Sequence, residues 1–132
     1  PDLPVEEGEG LFGLSDEQGL CPIQLMTPTS TDSRLIQVGQ HARGFVYVVA
    51  RRGVTGSKTD IDRDLFDFVD RCRLATTLPL AVGFGLSSGA DLERLQGKVE
   101  IGIVGSELLR VWETDGEDAY TTLLHDLAAG RG

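Results

Sequence analysis

"GFVYVVARRGVTG", residues 44–56, followed by "SKTDIDRDLFDFVDRC", residues 57–72, decides the fold of this chain. An apolar run is followed by two glycines three residues apart. The apolar residues Leu65, Val69 and Cys72 then follow one another at helical spacing. The pattern predicts a buried strand, a turn and a helix. The glycine-rich turn has two interpretations: a tight turn with no further purpose, or a cradle for an anion such as phosphate. The motif alone leaves both open.

The same alternation repeats along the chain. Near-continuous apolar runs, which are typical of strands covered on both faces, occupy residues 22–26, 44–50, 78–85 and 99–105. Helical spacing predicts helices over residues 32–42, 61–73 and 89–96, and a closing helix with a stripe from Tyr120 to Leu127 that ends at Gly130. Residues 8–19 hold four glycines, so we expect a helix there that either is short or starts late, near Ser15.

Strands that alternate strictly with helices predict an α/β fold with a parallel sheet and right-handed crossovers. Two architectures fit, an open doubly wound sheet or part of a (β/α)₈ barrel, and both bind ligands where strands end and helices begin. Three such ends, "RRGVTG" (51–56), "GFGLSS" (83–88) and "VGSE" (104–107), combine glycine with a hydroxyl side chain. Together they predict a phosphate site built mostly from main-chain amides.

Composition narrows the classes of function. The 132 residues suffice for one domain, residues 1–132, and the net charge of −9 argues against a nucleic-acid surface. No apolar stretch reaches membrane-spanning length, so we expect no membrane partner and a cytoplasmic location. Cys21 and Cys72 stand alone and are interpreted as buried structural thiols. No metal or cofactor is expected.

Five blocks of the sequence together resemble the alpha chain of tryptophan synthase. They are "PDLPVEE" (1–7), "PTSTDSR" (28–34), "GFVYVVARRGVTG" (44–56), "VGFGLSS" (82–88) and "IVGSELL" (103–109). The resemblance implies the second half of a (β/α)₈ TIM barrel, from the end of the fourth strand to the final helix, with the N-terminal half absent. The implied reaction is the cleavage of indole-3-glycerol phosphate to indole and glyceraldehyde 3-phosphate in tryptophan biosynthesis.

The resemblance also assigns residues. Those implied to hold the substrate phosphate are Gly56, Gly85, Gly105 and Ser106. Those implied to line the indole and glycerol region are Leu25, Tyr47, Thr55 and Phe84, with Thr55 on a mobile loop that closes over the site. Pro4 lies in a segment that borders the beta chain, the implied partner.

Catalysis needs a carboxylate pair, and the resemblance places both carboxylates in the first half of the barrel. We therefore expect no catalytic residue here and no activity from this segment alone. The open half needs either its N-terminal half or a second copy of itself. Glu107 departs from the small residue usual in the family, and it either points away harmlessly or competes with phosphate. The alternatives are another sugar-phosphate barrel enzyme and a non-catalytic phosphate-binding half-barrel.

Overall fold

A computed structural model describes residues 3–49, 58–83 and 85–130 of the chain. Its helices are a 3₁₀ turn Val5–Glu7, α1 Glu9–Glu17, α2 Asp32–His41, α3 Lys58–Ala75, α4 Gly89–Leu95 and α5 Ser106–Ala129. Its strands are β1 Gln24–Met26, β2 Val46–Val49, β3 Leu80–Gly83 and β4 Ile101–Ile103. Three residues assigned by resemblance, Thr55, Gly56 and Phe84, lie outside the described part.

The four strands form one parallel sheet in the order β1-β2-β3-β4. Each strand therefore pairs with the next one along the chain, as successive strands of a barrel wall do. The predicted alternation and parallel pairing are confirmed. The strands are shorter than their apolar runs, because only the middle of each run pairs and its ends enter the turns.

The core lies between one face of the sheet and the helices. Its buried members include Met26 on β1, Val46 and Val48 on β2, and Leu80 and Val82 on β3. Side chains from the helices pack against them, namely Leu35, Val38, Phe68, Val69, Cys72 and Leu95. Burial raises the pKa of the Cys72 thiol to about 12, which keeps it protonated and unreactive at neutral pH.

The opposite face of the sheet is only partly covered. Leu25, Tyr47, Ala81 and Ile101 form one row across all four strands, and all but Ala81 remain partly exposed. The sequence indicated strands covered on both faces, whereas the described residues cover one. This second face, called the inner face below, is the side that looks into a closed barrel.

Two predictions were wrong. Of the two alternatives for the first helix, the late start is contradicted: α1 is short, nine residues, but begins at Glu9, well before Ser15, and includes Gly10 and Gly13. Packing overrides the poor helix propensity of glycine here, since the Phe12 ring from α1 packs against the core. Cys21 is exposed, because it lies in the connection before β1 and not in a buried strand.

An ion pair ties α3 to the amino-terminal ends of β3 and β4. Arg73 donates from Nη2 to both carboxylate oxygens of Glu100, at 2.8 Å each, and the Leu80 amide donates to Glu100 Oε2 at 2.8 Å. Partial burial works to raise the pKa of Glu100, but these donors outweigh it and hold the pKa below its usual value. The pair fixes the end of the sheet opposite the predicted site.

Helices α4 and α5 meet through glycines. The Gly89 amide donates to Asp126 Oδ2 at 2.6 Å, and Gln96 Nε2 donates to the Gly130 carbonyl at 3.1 Å. A Cβ atom on Gly89 would overlap the main-chain carbonyl of Asp126, and one on Gly130 would overlap Gly89. The last turn of α5 is therefore fixed against the start of α4.

We predict that Gly89→Ala lowers the free energy of unfolding by about 1–3 kcal/mol, because the added methyl group meets backbone that cannot turn aside. Gly10→Ala is the control: a Cβ there meets nothing within 4 Å, and alanine should raise stability by up to about 1 kcal/mol. Urea unfolding of both variants checks this. Equal effects of the two substitutions would contradict the close contact between α4 and α5.

Candidate functional site

A cleft of about 280 Å³ lies at the carboxyl-terminal edge of the sheet. It is lined by Tyr47, Gly85, Leu86, Ser87, Ile103, Gly105, Ser106 and Glu107. These residues come from β2, from the end of β4 and from the segments that follow β3 and β4, which parallel pairing brings to one edge. Four of the residues assigned by resemblance, Tyr47, Gly85, Gly105 and Ser106, thus lie together.

The other residues assigned by resemblance either lie outside the cleft or fall outside the described part of the chain. Leu25 pairs in register with Tyr47 on the inner face, is partly buried, and does not line the cleft. Thr55, Gly56 and Phe84 fall in the undescribed stretches, and their roles stay predictions. Their places in the sequence, just after β2 and β3, are at the edge where the cleft lies.

The two glycines of the cleft have different structural reasons. Gly85 has φ 76°, in the left-handed region where a side chain would be strained. Gly105 has φ −128°, and a Cβ there would meet nothing within 4 Å. Backbone geometry therefore explains Gly85, whereas the space in front of Gly105 remains open to the cleft.

The amino-terminus of α4 is closed by its own side chains. Asp91 Oδ2 accepts hydrogen bonds from the Ser87 amide at 2.9 Å, the Ser87 hydroxyl at 3.0 Å and the Ser88 hydroxyl at 3.1 Å. Ser88 Oγ accepts a hydrogen bond from the Asp91 amide at 3.3 Å, and Asp126 Oδ2 accepts one from the Gly89 amide. The prediction that all three strand ends offer free amides needs correction here: "GFGLSS" contributes Gly85, Leu86 and Ser87 to the cleft rather than an open helix terminus.

The pKa of Asp91 follows from this arrangement. Burial works to raise it, but the donors from Ser87 and Ser88 together hold the pKa below its usual value. The carboxylate is therefore ionised near neutral pH and occupies the positive end of α4.

The amino-terminus of α5 is open. Gly105 precedes the helix and provides no side-chain cap, and the Ser106 hydroxyl makes no hydrogen bond among the described residues. The first turn of any helix leaves amide groups without an intrahelical partner, with the positive end of the dipole beside them. Of the two helices that begin at this edge beside the cleft, α5 is thus the one that can bind an anion.

Glu107 lies in that first turn and is paired. Arg110 donates from Nε to Glu107 Oε2 at 3.0 Å and from Nη2 to Oε1 at 2.7 Å. Its remaining Nη1 donates to Thr114 and to Asp115, both at 3.3 Å. Hydrogen bonding to Arg110 lowers the pKa of the Glu107 carboxyl. Glu107 therefore lines the cleft as a charge that is already compensated.

Tyr47 reaches along the inner face over the next strand. Its phenol oxygen occupies the place that a Cβ on Gly83 would take, and its ring carbon Cζ would lie 2.5 Å from that atom. The lack of a side chain at Gly83 thus leaves room for the Tyr47 ring. The packing holds the phenol group at the cleft rather than in solvent.

Two larger cavities lie elsewhere and lack the residues of the cleft. One of about 380 Å³ runs between α4, β4 and α5, and one of about 420 Å³ is bordered by Leu108, Leu109, Trp112 and Tyr120. Neither is lined by Gly85, Gly105 or Ser106. Within residues 3–49, 58–83 and 85–130, no cluster of His, Cys, Asp and Glu could hold a metal ion. No helix in the same ranges is long and apolar enough to cross a membrane.

Comparison with known proteins gives one family. The family model for the tryptophan synthase alpha chain matches residues 1–129. The alpha chain of Desulforapulum autotrophicum is 45% identical over 128 residues, which are 97% of this chain and 51% of that relative. The alpha chain of Lactiplantibacillus plantarum is 40% identical over 126 residues, covering 96% of this chain and 47% of that relative.

Solved structures agree. Tryptophan synthase from M. tuberculosis in its aminoacrylate-bound form matches with a TM-score of 0.85 and 30% identity, over 100% of this chain and 49% of that chain. The tryptophan synthase a2b2 complex from Pyrococcus furiosus matches with a TM-score of 0.80 and 29% identity, over 96% and 51% of the two chains. This chain spans about half the length of the relatives it matches.

We predict that Asp91→Asn lowers stability at neutral pH by about 1 kcal/mol, the usual value of a helix cap. A depressed pKa contributes stability that is present above the unfolded value and is lost as pH falls through the folded one. The variant should therefore lose less stability than the parent between pH 5 and pH 3, roughly the window of an acid of this type. Urea unfolding at several pH values measures this, with Glu93→Gln, an exposed carboxylate in the same helix, as the control. Identical acid sensitivity in parent and Asp91→Asn would refute the proposed cap.

We predict that Gly83→Ala costs about 1–2 kcal/mol of stability with Tyr47 present, because the methyl group displaces the ring. In a Tyr47→Ala background the same change should cost less, since nothing then fills that space. Chemical unfolding of the two single variants and the double variant gives the coupling. Strict additivity would show that the ring does not pack over Gly83.

Proposed function

This chain belongs to the tryptophan synthase alpha chain family, and we propose that it supplies the phosphate-binding half of a lyase. Joined to the first half of the barrel, it takes part in cleaving indole-3-glycerol phosphate to indole and glyceraldehyde 3-phosphate. The observation that carries the proposal is the open amino-terminus of α5, which meets Gly85, Gly105 and Ser106 in one cleft. The match over half of its relatives supports the pairing with a second half.

The phosphate is the part of the substrate that this half binds. Main-chain amides of Gly105 and the first turn of α5, with the Ser106 hydroxyl, provide hydrogen-bond donors at the positive end of a helix dipole. Gly85 lets the backbone after β3 approach the same point. Gly56 completes this set by resemblance. Such a cradle binds a dianion without a dedicated cation, which suits an acidic chain.

The indole and glycerol parts lie along the inner face. Tyr47 borders the cleft from β2, and Leu25 lies beside it on β1. Both are only partly buried in this chain, which leaves their surfaces free to contact a substrate in the barrel interior. Phe84 and Thr55 join them by resemblance, with Thr55 on the loop that closes over the site.

The proton chemistry belongs to the other half. Cleaving the bond between indole and glycerol requires a group that moves protons at the ring and one that stabilises charge on the indole nitrogen. The resemblance places both carboxylates before residue 1 of this sequence. This segment alone therefore binds and orients the substrate without cleaving it. The proposed location of the complete enzyme is the cytoplasm. The beta chain is the proposed partner, with the segment around Pro4 at its border.

A complementation assay tests this function. The 132-residue chain, the first half of the Desulforapulum autotrophicum alpha chain, and their mixture are each given indole-3-glycerol phosphate, and indole release is followed. We expect release from the mixture alone. Release from the 132-residue chain by itself would contradict the assignment of the carboxylates. A mixture that binds phosphate esters yet releases no indole would favour the non-catalytic half-barrel.

A further inference from the structure

The proposed phosphate cradle contains a carboxylate that ought to oppose it. Glu107 lies in the first turn of α5 and lines the cleft beside Gly105 and Ser106. A carboxylate of this length can fold back onto the open amides of its own helix, as capping carboxylates do. Left to itself, it would be an internal competitor for any anion.

Arg110 prevents this by geometry. Its two nitrogens Nε and Nη2 bind the two oxygens of Glu107 at 3.0 and 2.7 Å, in the parallel two-bond arrangement that guanidinium and carboxylate prefer. One turn separates the two residues, so the carboxylate is drawn along the helix, away from the terminus. The pair uses both oxygens of Glu107.

Arg110 is itself held from the other side. Its Nη1 donates to Thr114 Oγ1 and Asp115 Oδ2, and the Thr114 hydroxyl donates to the Arg110 carbonyl at 2.7 Å. Directly after Asp115, Gly116 has φ 83° and interrupts α5. The guanidinium is therefore fixed between a carboxylate at the start of the first helical part and one at its end.

We propose that Arg110 is a positioning residue for the anion site, which acts by holding Glu107 off the amides at the start of α5. The inference rests on the proposed phosphate-binding function. It also answers the question raised by Glu107 in the sequence: the carboxylate competes with phosphate only when Arg110 is removed. Arg110 itself does not touch the anion.

The test is a double-mutant cycle in the complemented barrel, with binding of inorganic sulfate and inorganic phosphate measured by calorimetry. Arg110→Gln should weaken binding by about tenfold, because an unpaired carboxylate then lies at the anion site. In a Glu107→Gln background the same change should weaken binding by no more than about twofold. Lys98→Gln, which removes a charge near the opposite end of β4, is the control and should have little effect.

The pH dependence separates positioning from simple charge. Sulfate remains a dianion between pH 6 and pH 4, so its binding reports the protein groups alone. In Arg110→Gln, the Glu107 carboxyl loses its partner and regains protons as the pH falls, and sulfate binding should recover; the double variant should show no such recovery.

Each outcome of these experiments supports or overturns the proposal. A loss of equal size in both backgrounds means that Arg110 acts through its charge or touches the anion directly, and overturns the proposal. No loss in Arg110→Gln overturns it as well. If no variant binds either anion, the phosphate site itself fails; in that case the pKa of Glu107, followed by NMR with and without Arg110, still shows whether the pair forms.

Discussion

The structure depends on a core that lies on only one face of its sheet. Side chains of β1, β2 and β3 that point to this face pack with α2, α3 and α4 and are almost completely buried. That packing holds three of the four short parallel strands, and β4 joins them by pairing with β3. The inner face is consequently left partly exposed, and the cleft at the carboxyl-terminal edge is built on strand ends that are already fixed.

The cleft shows how one helix terminus stays open while its neighbour is used for packing. At α4, Asp91 and Asp126 take the amides, so that terminus contributes to stability and to the contact with α5. At α5, glycine precedes the helix and the amides stay available. An acidic chain can bind a dianion under these conditions, because local dipoles act over a few ångströms whereas distant charges are screened beyond about 8–10 Å.

The sequence predicted the alternation of elements, the parallel sheet and the convergence of the strand ends at residues 83–88 and 104–107, because hydrophobic periodicity and glycine at strand ends are local signals. It did not predict which helix terminus would be closed. Asp91 follows Ser88 by three residues, which is the spacing of a capping box with aspartate in place of glutamate, and that signal could have been used. The i, i+3 spacing of Glu107 and Arg110 was equally visible. Tyr47 over Gly83 was not, since it depends on the register of two strands.

The row that crosses the inner face is unevenly filled. Leu25, Tyr47 and Ile101 are large, whereas Ala81 between them is small, and Gly83 further along β3 has no side chain at all. The Tyr47 ring takes the space over Gly83, and Ala81 is completely buried, so the small residues of β3 make room for the large side chains of the neighbouring strands. A larger residue at either position would need a smaller one on a neighbouring strand, so these positions of the inner face cannot vary in sequence independently of each other.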